Sequence, residues 1–252
     1  MMHFWDALDA EDTVRSMNTE FLEQNFSNFI SLFPVADSAV QRRAVESMME
    51  RFTPQRRAYK LLVQTARKYL YEPESPAKNE DYYEMVLEAA EQGPDLGVAE
   101  RLQETAERRW IAKNHVGTLA ADFVYRTGDG KLISLMETEI QDNLVLFFYN
   151  PDCEHCSEAA RELADNEEMN VRIADGDLRV LAVNIYSDEG RSRVDIPKNW
   201  IQGVDLSGIE EHELYIVRSV PTIYVLGADH KVLLKDCSTE DVEHLYAKAV
   251  YE

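Results

Sequence analysis

The chain has 252 residues, 45% hydrophobic and 10% aromatic, enough to build two ordinary packed domains or one large one. Its 26 basic and 47 acidic side chains leave a formal charge of -21, which argues against nucleic acid and anionic lipid as partners. Residues 1–115 hold 14 basic and 20 acidic side chains and the remainder 12 and 27, so the net charge is -6 in the first part and -15 in the second. That field serves solubility, or it selects partners that are neutral or basic where they touch the second part.

Three cysteines in a chain of this length do not make a disulfide framework, so their spacing matters more than their number. No run of about 18 apolar residues is present, and the opening MMHFWDALDAEDT has acidic side chains where a signal peptide has a basic region and an apolar stretch. As it stands the sequence is expected neither to span a membrane nor to carry its own export signal. Its start fits both a native terminus and a chain from which a leader has been removed.

Apolar periodicity predicts five helices before residue 113. The first runs from Asp12 to Leu32 on Val14, Met17, Phe21, Phe26, Phe29 and Ile30, and Pro34 ends it. Ser38 and Gln41 have capping-box spacing and open the second, whose stripe is Val40, Ala44, Val45, Met48, Met49 and Phe52. Thr53 and Pro54 are expected to cap the third, which continues to Tyr71 through Tyr59, Leu62, Val63, Ala66, Tyr69 and Leu70. After the loop EPESPAKN, a fourth carries Tyr82, Met85, Val86, Ala89 and Ala90 up to Gly93. The fifth carries Val98, Leu102, Ala106 and Trp110 at strict four-residue intervals. The Met and aromatic stripes read as core of an all-α helical bundle.

The character changes at Ala112–Gly117, which divides the chain into domains 1–115 and 116–252. Ala121–Tyr125 and Leu132–Leu135 flank GDGK, where Asp129-Gly130 signals a hairpin. Leu144–Tyr149 is six apolar residues without alternation, the pattern of a strand covered on both faces. Asn150, Pro151 and Asp152 break it, and a helix is expected over Cys153–Glu168. Leu178–Tyr186 is a second continuously apolar strand, so strand, helix and strand form a parallel crossover. Ser187–Leu214 is irregular, anchored by Trp200 and Ile201, with a short helix expected near Ile209–Tyr215. Thr222–Leu226 and Lys231–Lys235 form a second hairpin around GADH, and Ser238–Tyr251 a closing amphipathic helix. The second domain is therefore α/β with a mixed sheet.

Cys153 and Cys156, two residues apart where a buried strand runs into a helix, carry the chemistry. Zinc needs four ligands, and Cys237 stands alone while His3 and His115 have no partner at ligand spacing, so no metal is expected. A purely structural disulfide gains nothing from an exposed helix start, and so small a loop constrains the unfolded chain little. Redox exchange remains: one thiolate attacks a substrate disulfide and the second resolves the mixed disulfide. Cys153 is the expected nucleophile, because the unpaired N–H groups and the dipole of a helix N-terminus favour a thiolate. Such exchange calls for no cofactor.

Ser219-Val220-Pro221-Thr222 precedes the next strand, a position where proline is permitted and an X-Pro bond is open to the cis form. With FYNPDCEHC, the long insertion, SVPT and the final hairpin and helix in this order, residues 116–252 resemble the thioredoxin-like family of bacterial thiol-disulfide oxidoreductases, including those serving exported proteins and cytochrome c maturation. The resemblance implies that Val220-Pro221 is cis and faces the dithiol, placing substrate against both residues. Asp152 stands where typical members have Trp, and Phe147 replaces an acidic group at the end of the cysteine strand. A glutamate that accepts protons in some exported reductants would fall on Ala159. Glu158 is one position early, about 100° around the helix, so water, Glu154 and Glu158 all stay open as the acceptor for Cys156. His155 occupies the second intervening position, as in some strongly oxidising members. An imidazole there stabilises the Cys153 thiolate, Asp152 and Glu154 oppose it, and the alternative is a solvent-exposed spacer. Cys237 reads as a small core residue on the last strand.

The helical half resembles an uncharacterised domain found ahead of thioredoxin-like domains in exported bacterial proteins. That resemblance implies a periplasmic or exported protein whose leader is absent from this chain, with a cytoplasmic location still open. The expected function is exchange of disulfides with protein thiols or disulfides, and with a redox partner protein, while the helical domain docks an unidentified partner. The alternative is a thioredoxin-fold binding protein without redox turnover. Peroxidase chemistry would need a threonine-supported cysteine that NPDC does not provide.

Overall fold

The structure, a computed structural model, describes residues 1–73, 75–186 and 193–247. Two compact units, Met1–Ile111 and Ala112–Glu252, divide the chain slightly ahead of the change in sequence character. No helix among the described residues is long and apolar enough to cross a membrane.

The first unit is all-α: α1 Thr13–Ser16, α2 Thr19–Ile30, α3 Ser38–Phe52, α4 Arg56–Leu70, α5 Glu80–Glu91 and α6 Val98–Ala112. The single helix expected over Asp12–Leu32 is broken, because the Asn18 carboxamide accepts the Phe21 N–H at 2.9 Å and starts α2 anew. Val14, ahead of the break, is 80% exposed rather than core. Asp37, not Ser38, caps α3 by accepting the Val40 N–H at 2.9 Å. Gln41 does not complete a capping box; it donates to the Phe33 and Ala36 carbonyls at 2.9 and 3.0 Å, closing the short 3-10 turn Phe33–Val35 against α3. Thr53 ends α3 instead of opening α4, whose N-cap is Gln55. The turns before α1, ahead of the first expected helix, bury Trp5, Leu8 and Ala10 in the bundle core beside Phe29 and Phe52.

α6 departs furthest from expectation. Val98 and Leu102 are 67% and 68% exposed, while the buried residues of the helix are Glu107 and Ile111. A strict four-residue row drifts about 40° per step around an α-helix, so it cannot hold one face over four members. The inner side is claimed by charge instead. Glu107 accepts from Arg67 Nε at 2.6 Å, the Tyr83 hydroxyl at 2.6 Å and Gln103 Nε2 at 2.9 Å. Burial, followed by the Glu107 charge, holds the Tyr83 phenol far above its usual range. Removing one member of such a cluster leaves the others desolvated and unpaired. Arg67 is 37% exposed and retains Glu72 as a partner, which moderates the loss. Glu107→Ala is expected to destabilise the unit by about 2 kcal/mol, read as a lower urea midpoint at unchanged slope; an unchanged midpoint would show the cluster to be dispensable.

The second unit is a seven-stranded mixed sheet in the order β2-β1-β5-β4-β3-β6-β7. Its strands are β1 Val124–Thr127, β2 Leu132–Ser134, β3 Asn143–Tyr149, β4 Leu178–Asn184, β5 Ile201–Asp205, β6 Thr222–Gly227 and β7 Val232–Leu234. β3 lies parallel to β4 and antiparallel to β6, and Leu144–Tyr149 is buried throughout. Val145, Phe147 and Tyr149 enter one core with Leu163, Met169, Val242 and Tyr246, all from helices; Leu144, Leu146 and Phe148 enter the other with Phe123, Tyr215 and Tyr224. This double burial is why the strand shows no alternation.

Three elements differ from the sequence reading. The helix after the cysteines is two, α7 Glu154–Asp165 and α8 Glu167–Asp175, because Asn166 ends the first and caps the second by accepting the Met169 N–H at 3.0 Å. β5 falls inside the segment read as irregular and pairs parallel to β4 and antiparallel to β1; a Cβ on its Gly203 would stand 2.7 Å from Tyr125 Cδ2. The short helix expected near Ile209–Tyr215 is a set of turns, with the Leu214 N–H donating to Ile209 at 2.9 Å and Glu213 left-handed at φ 49°. Residues 187–192 of the expected insertion, and the end of the closing helix beyond α9 Thr239–Ala247, lie outside the described residues.

Candidate active site

Where β3 ends, the Asn150 carbonyl accepts the Cys153 N–H at 3.1 Å and its side chain accepts the Asp152 N–H at 2.9 Å. This turn sets Cys153 as the N-cap of α7, in extended backbone, with Cys156 one turn on. The two sulfurs are joined as a disulfide across a Cα separation of 5.2 Å. Cys153 Sγ also accepts the Cys156 N–H at 3.0 Å, so a backbone donor of the helix start is spent on sulfur in place of the usual oxygen. Cys156 is fully buried under the sheet, whereas Cys153 is half-buried. One sulfur is therefore presented and the other shielded.

The second side of the site comes from residues 219–222. The Val220–Pro221 peptide is cis. The Val220 carbonyl oxygen stands 3.5 Å from Cys153 Sγ, where it can accept from the reduced thiol, and the Thr222 hydroxyl closes the turn on Ser219 at 2.6 Å. Just before it, Arg218 pairs with Asp236 at 2.6 Å, both side chains less than a fifth exposed. Asp236 lies between β7 and α9, and the next residue, Cys237, donates its N–H to Ile223 at 3.0 Å. Cys237 itself lies beyond β7 rather than on it, half-buried and packed against the helix-covered core.

The charged neighbours do not converge on sulfur. His155 is 86% exposed, and its Nδ1 is 3.4 Å from Glu158 Oε2 on the same helix face. Asp152 pairs with Arg193 Nε at 3.3 Å, and the Arg193 N–H donates to the Pro151 carbonyl at 2.8 Å, which fastens the inserted segment to the cysteine turn. Glu154 is exposed, Ala159 is buried, and fully buried Phe147 packs edge-on against Trp200 at 5.8 Å. The structure thus brings Cys153, Cys156, Val220 and Pro221 together and leaves His155 on the rim. Asn150 was read in sequence only as a strand breaker, and Arg193 and the Arg218–Asp236 pair were missed. For Arg193 and Arg218 no local pattern announces a partner so far along the chain.

A buried strand ending in a dithiol at a helix start, with a loop carrying proline across from it, defines the second unit as a thioredoxin-like domain. The chain as a whole is similar to a thioredoxin-like protein from Bacteroides caccae, at 29% identity and a TM-score of 0.89, covering 100% of this chain and 91% of that one. Its second half is similar to the C-terminal domain of an uncharacterized protein from Bacteroides fragilis, at 32% identity and a TM-score of 0.51, covering 54% of this chain and 99% of that one. Residues 1–114 match a family described as a domain of unknown function, DUF5106. No curated protein matches the chain. The chain is therefore a helical domain that matches DUF5106 followed by a domain of thioredoxin-like fold.

The difference in burial has a direct readout. After reduction, iodoacetamide is expected to modify Cys153 faster than Cys156 by roughly tenfold or more, measured by peptide mapping over time. Equal rates would contradict the shielding of Cys156.

Proposed function

We propose that the protein is a thiol-disulfide oxidoreductase that exchanges disulfides with protein substrates through Cys153 and Cys156. The observation that carries this reading is one half-exposed sulfur at the N-cap of α7 bonded to one buried sulfur a turn later. In the reduced protein the Cys153 thiolate attacks a substrate disulfide, forming a mixed disulfide and releasing one substrate thiolate. The Cys156 thiolate then attacks Cys153 Sγ, closing the intramolecular disulfide and releasing the second substrate thiolate, so two electrons pass to the substrate. Run backwards, the same steps oxidise a substrate dithiol. The Cys156 N–H stabilises negative charge on Cys153 Sγ. The Val220 carbonyl and Pro221 border the sulfur and supply backbone contact for an extended substrate segment. The periplasm is the proposed location, since protein disulfides persist in that oxidising compartment.

Cys156→Ser is expected to accumulate mixed disulfides through Cys153, because attack survives and resolution is lost, whereas Cys153→Ser accumulates none. Non-reducing gels after exposure to cell extract make the comparison, and equal trapping by both variants would reverse or abolish the assigned roles.

His155 tunes the couple weakly in this reading. Its imidazole lies in the first turn of α7 but is exposed and faces Glu158. His155→Ala should lower the reduction potential by less than ~30 mV, the equivalent of about 1.4 kcal/mol for two electrons. Glutathione-coupled titration reads the shift, and a raised potential would remove the imidazole from any stabilising role.

A further inference from the structure

The helical unit carries a groove that the dithiol chemistry does not use. It lies between α3 and α5 over α4, with a volume of about 360 Å³. Met49 and Met85 form an apolar lining, 2% and 8% exposed. Tyr59 joins them from α4, fully buried, and its hydroxyl has no hydrogen-bond partner among the described residues. Buried polar side chains are bonded in the large majority of cases, so this hydroxyl is hydrogen-bonding capacity that the fold itself leaves unused. Gly93 sits in the same wall, where any Cβ would collide with the hydroxyl.

The rim is acidic. Arg42 and Glu88 pair across the groove, which leaves Glu46 and Glu50 without an ion-pair partner among the described residues. They stand about one turn apart on α3. Burial, and then the charge of Glu104, push the Tyr59 phenol up to about 12, so it stays neutral and can accept a hydrogen bond. An occupant with an apolar stem, a positive charge and N–H donors complements this lining.

We propose that this groove binds an arginine side chain of a partner protein, its stem against Met49 and Met85 and its guanidinium shared between the Tyr59 hydroxyl and the carboxylates of Glu46 and Glu50. Arginine suits the site better than lysine because its planar fork addresses a hydroxyl and two carboxylates together, and its weaker hydration lowers the cost of entry. The net charge of -21 draws basic partners in. Choosing a protein as the source rests on the proposed exchange with protein substrates; the chemistry of the groove does not.

The full chain, labelled with 15N, is titrated with n-butylguanidinium, with n-butylammonium and n-butanol as comparators. Saturable shifts of α3 and α5 amides are expected with n-butylguanidinium in the millimolar range, weaker ones with n-butylammonium, and none with n-butanol. Glu46→Gln/Glu50→Gln and, separately, Tyr59→Phe are expected to weaken binding by about fivefold or more. Tyr59→Phe keeps the ring and should melt no lower than the parent, which separates lost binding from lost folding. Absence of saturable shifts, equal shifts with n-butanol, or unchanged affinity in both variants overturns the site. N-acetyl-arginine-N-methylamide should bind at least as tightly as n-butylguanidinium; binding of putrescine but not of this capped arginine overturns the protein source. Trapping by Cys156→Ser tests the dithiol separately, so the two proposals fail independently.

Discussion

Burial of β3 on both faces is the constraint from which the second unit is built. Three of its side chains enter the helix-covered core and three the opposite one, so neither layer can shift without opening the other. Its ladders to β4 and β6 occupy both edges, which leaves its carboxyl end as the place where the chain escapes the sheet. Asn150 makes that exit sharp by taking two backbone N–H groups of the cysteine turn. The position of Cys153 thus follows from the rigidity of the strand behind it.

The same strand was legible because six apolar residues without alternation, cut off by Asn150 and Pro151, are too short for a buried helix and suit a strand covered on both faces. The dithiol was legible because its spacing follows directly after. β5 was not: Ile201, Gln202, Gly203, Val204 and Asp205 contain one glycine and two polar residues, and among them only Gly203 is buried. Its strand character comes from pairing with β1 and β4, which no local pattern reports. α6 misled for the opposite reason. Its apolar residues advertised a face, yet a carboxylate satisfied by Arg67, Tyr83 and Gln103 took the interior. At α3, Asp37 and Ser38 are both competent caps, and the residue type alone does not choose between them.

Among the site residues, Cys153, Cys156, Val220 and Pro221 could be named from motifs, although the contact between Cys153 and Val220 spans 67 positions of sequence. What sequence could not supply was the support around them. Asp152 was legible only as a charge opposing the thiolate, while in the fold it faces Arg193. His155 was legible as a tuner of sulfur, while in the fold its nearest charged neighbour is Glu158. Motifs name the candidate sulfurs, and long-range pairings decide what field those atoms feel.

Two ion pairs border the dithiol, and they differ in stiffness. Arg193 and Asp152 are 82% and 71% exposed, so dissolved ions screen their attraction and the pair contributes little. Arg218 and Asp236 are 18% and 12% exposed, out of reach of that screening, and hold the proline loop from behind. The proline loop is therefore held firmly from behind, and the side chains at the cysteine turn are held loosely. Rising ionic strength frees the Arg193 and Asp152 side chains from one another and leaves Arg218–Asp236 in register, while the backbone hydrogen bond from Arg193 to the Pro151 carbonyl keeps the chain attached at the cysteine turn.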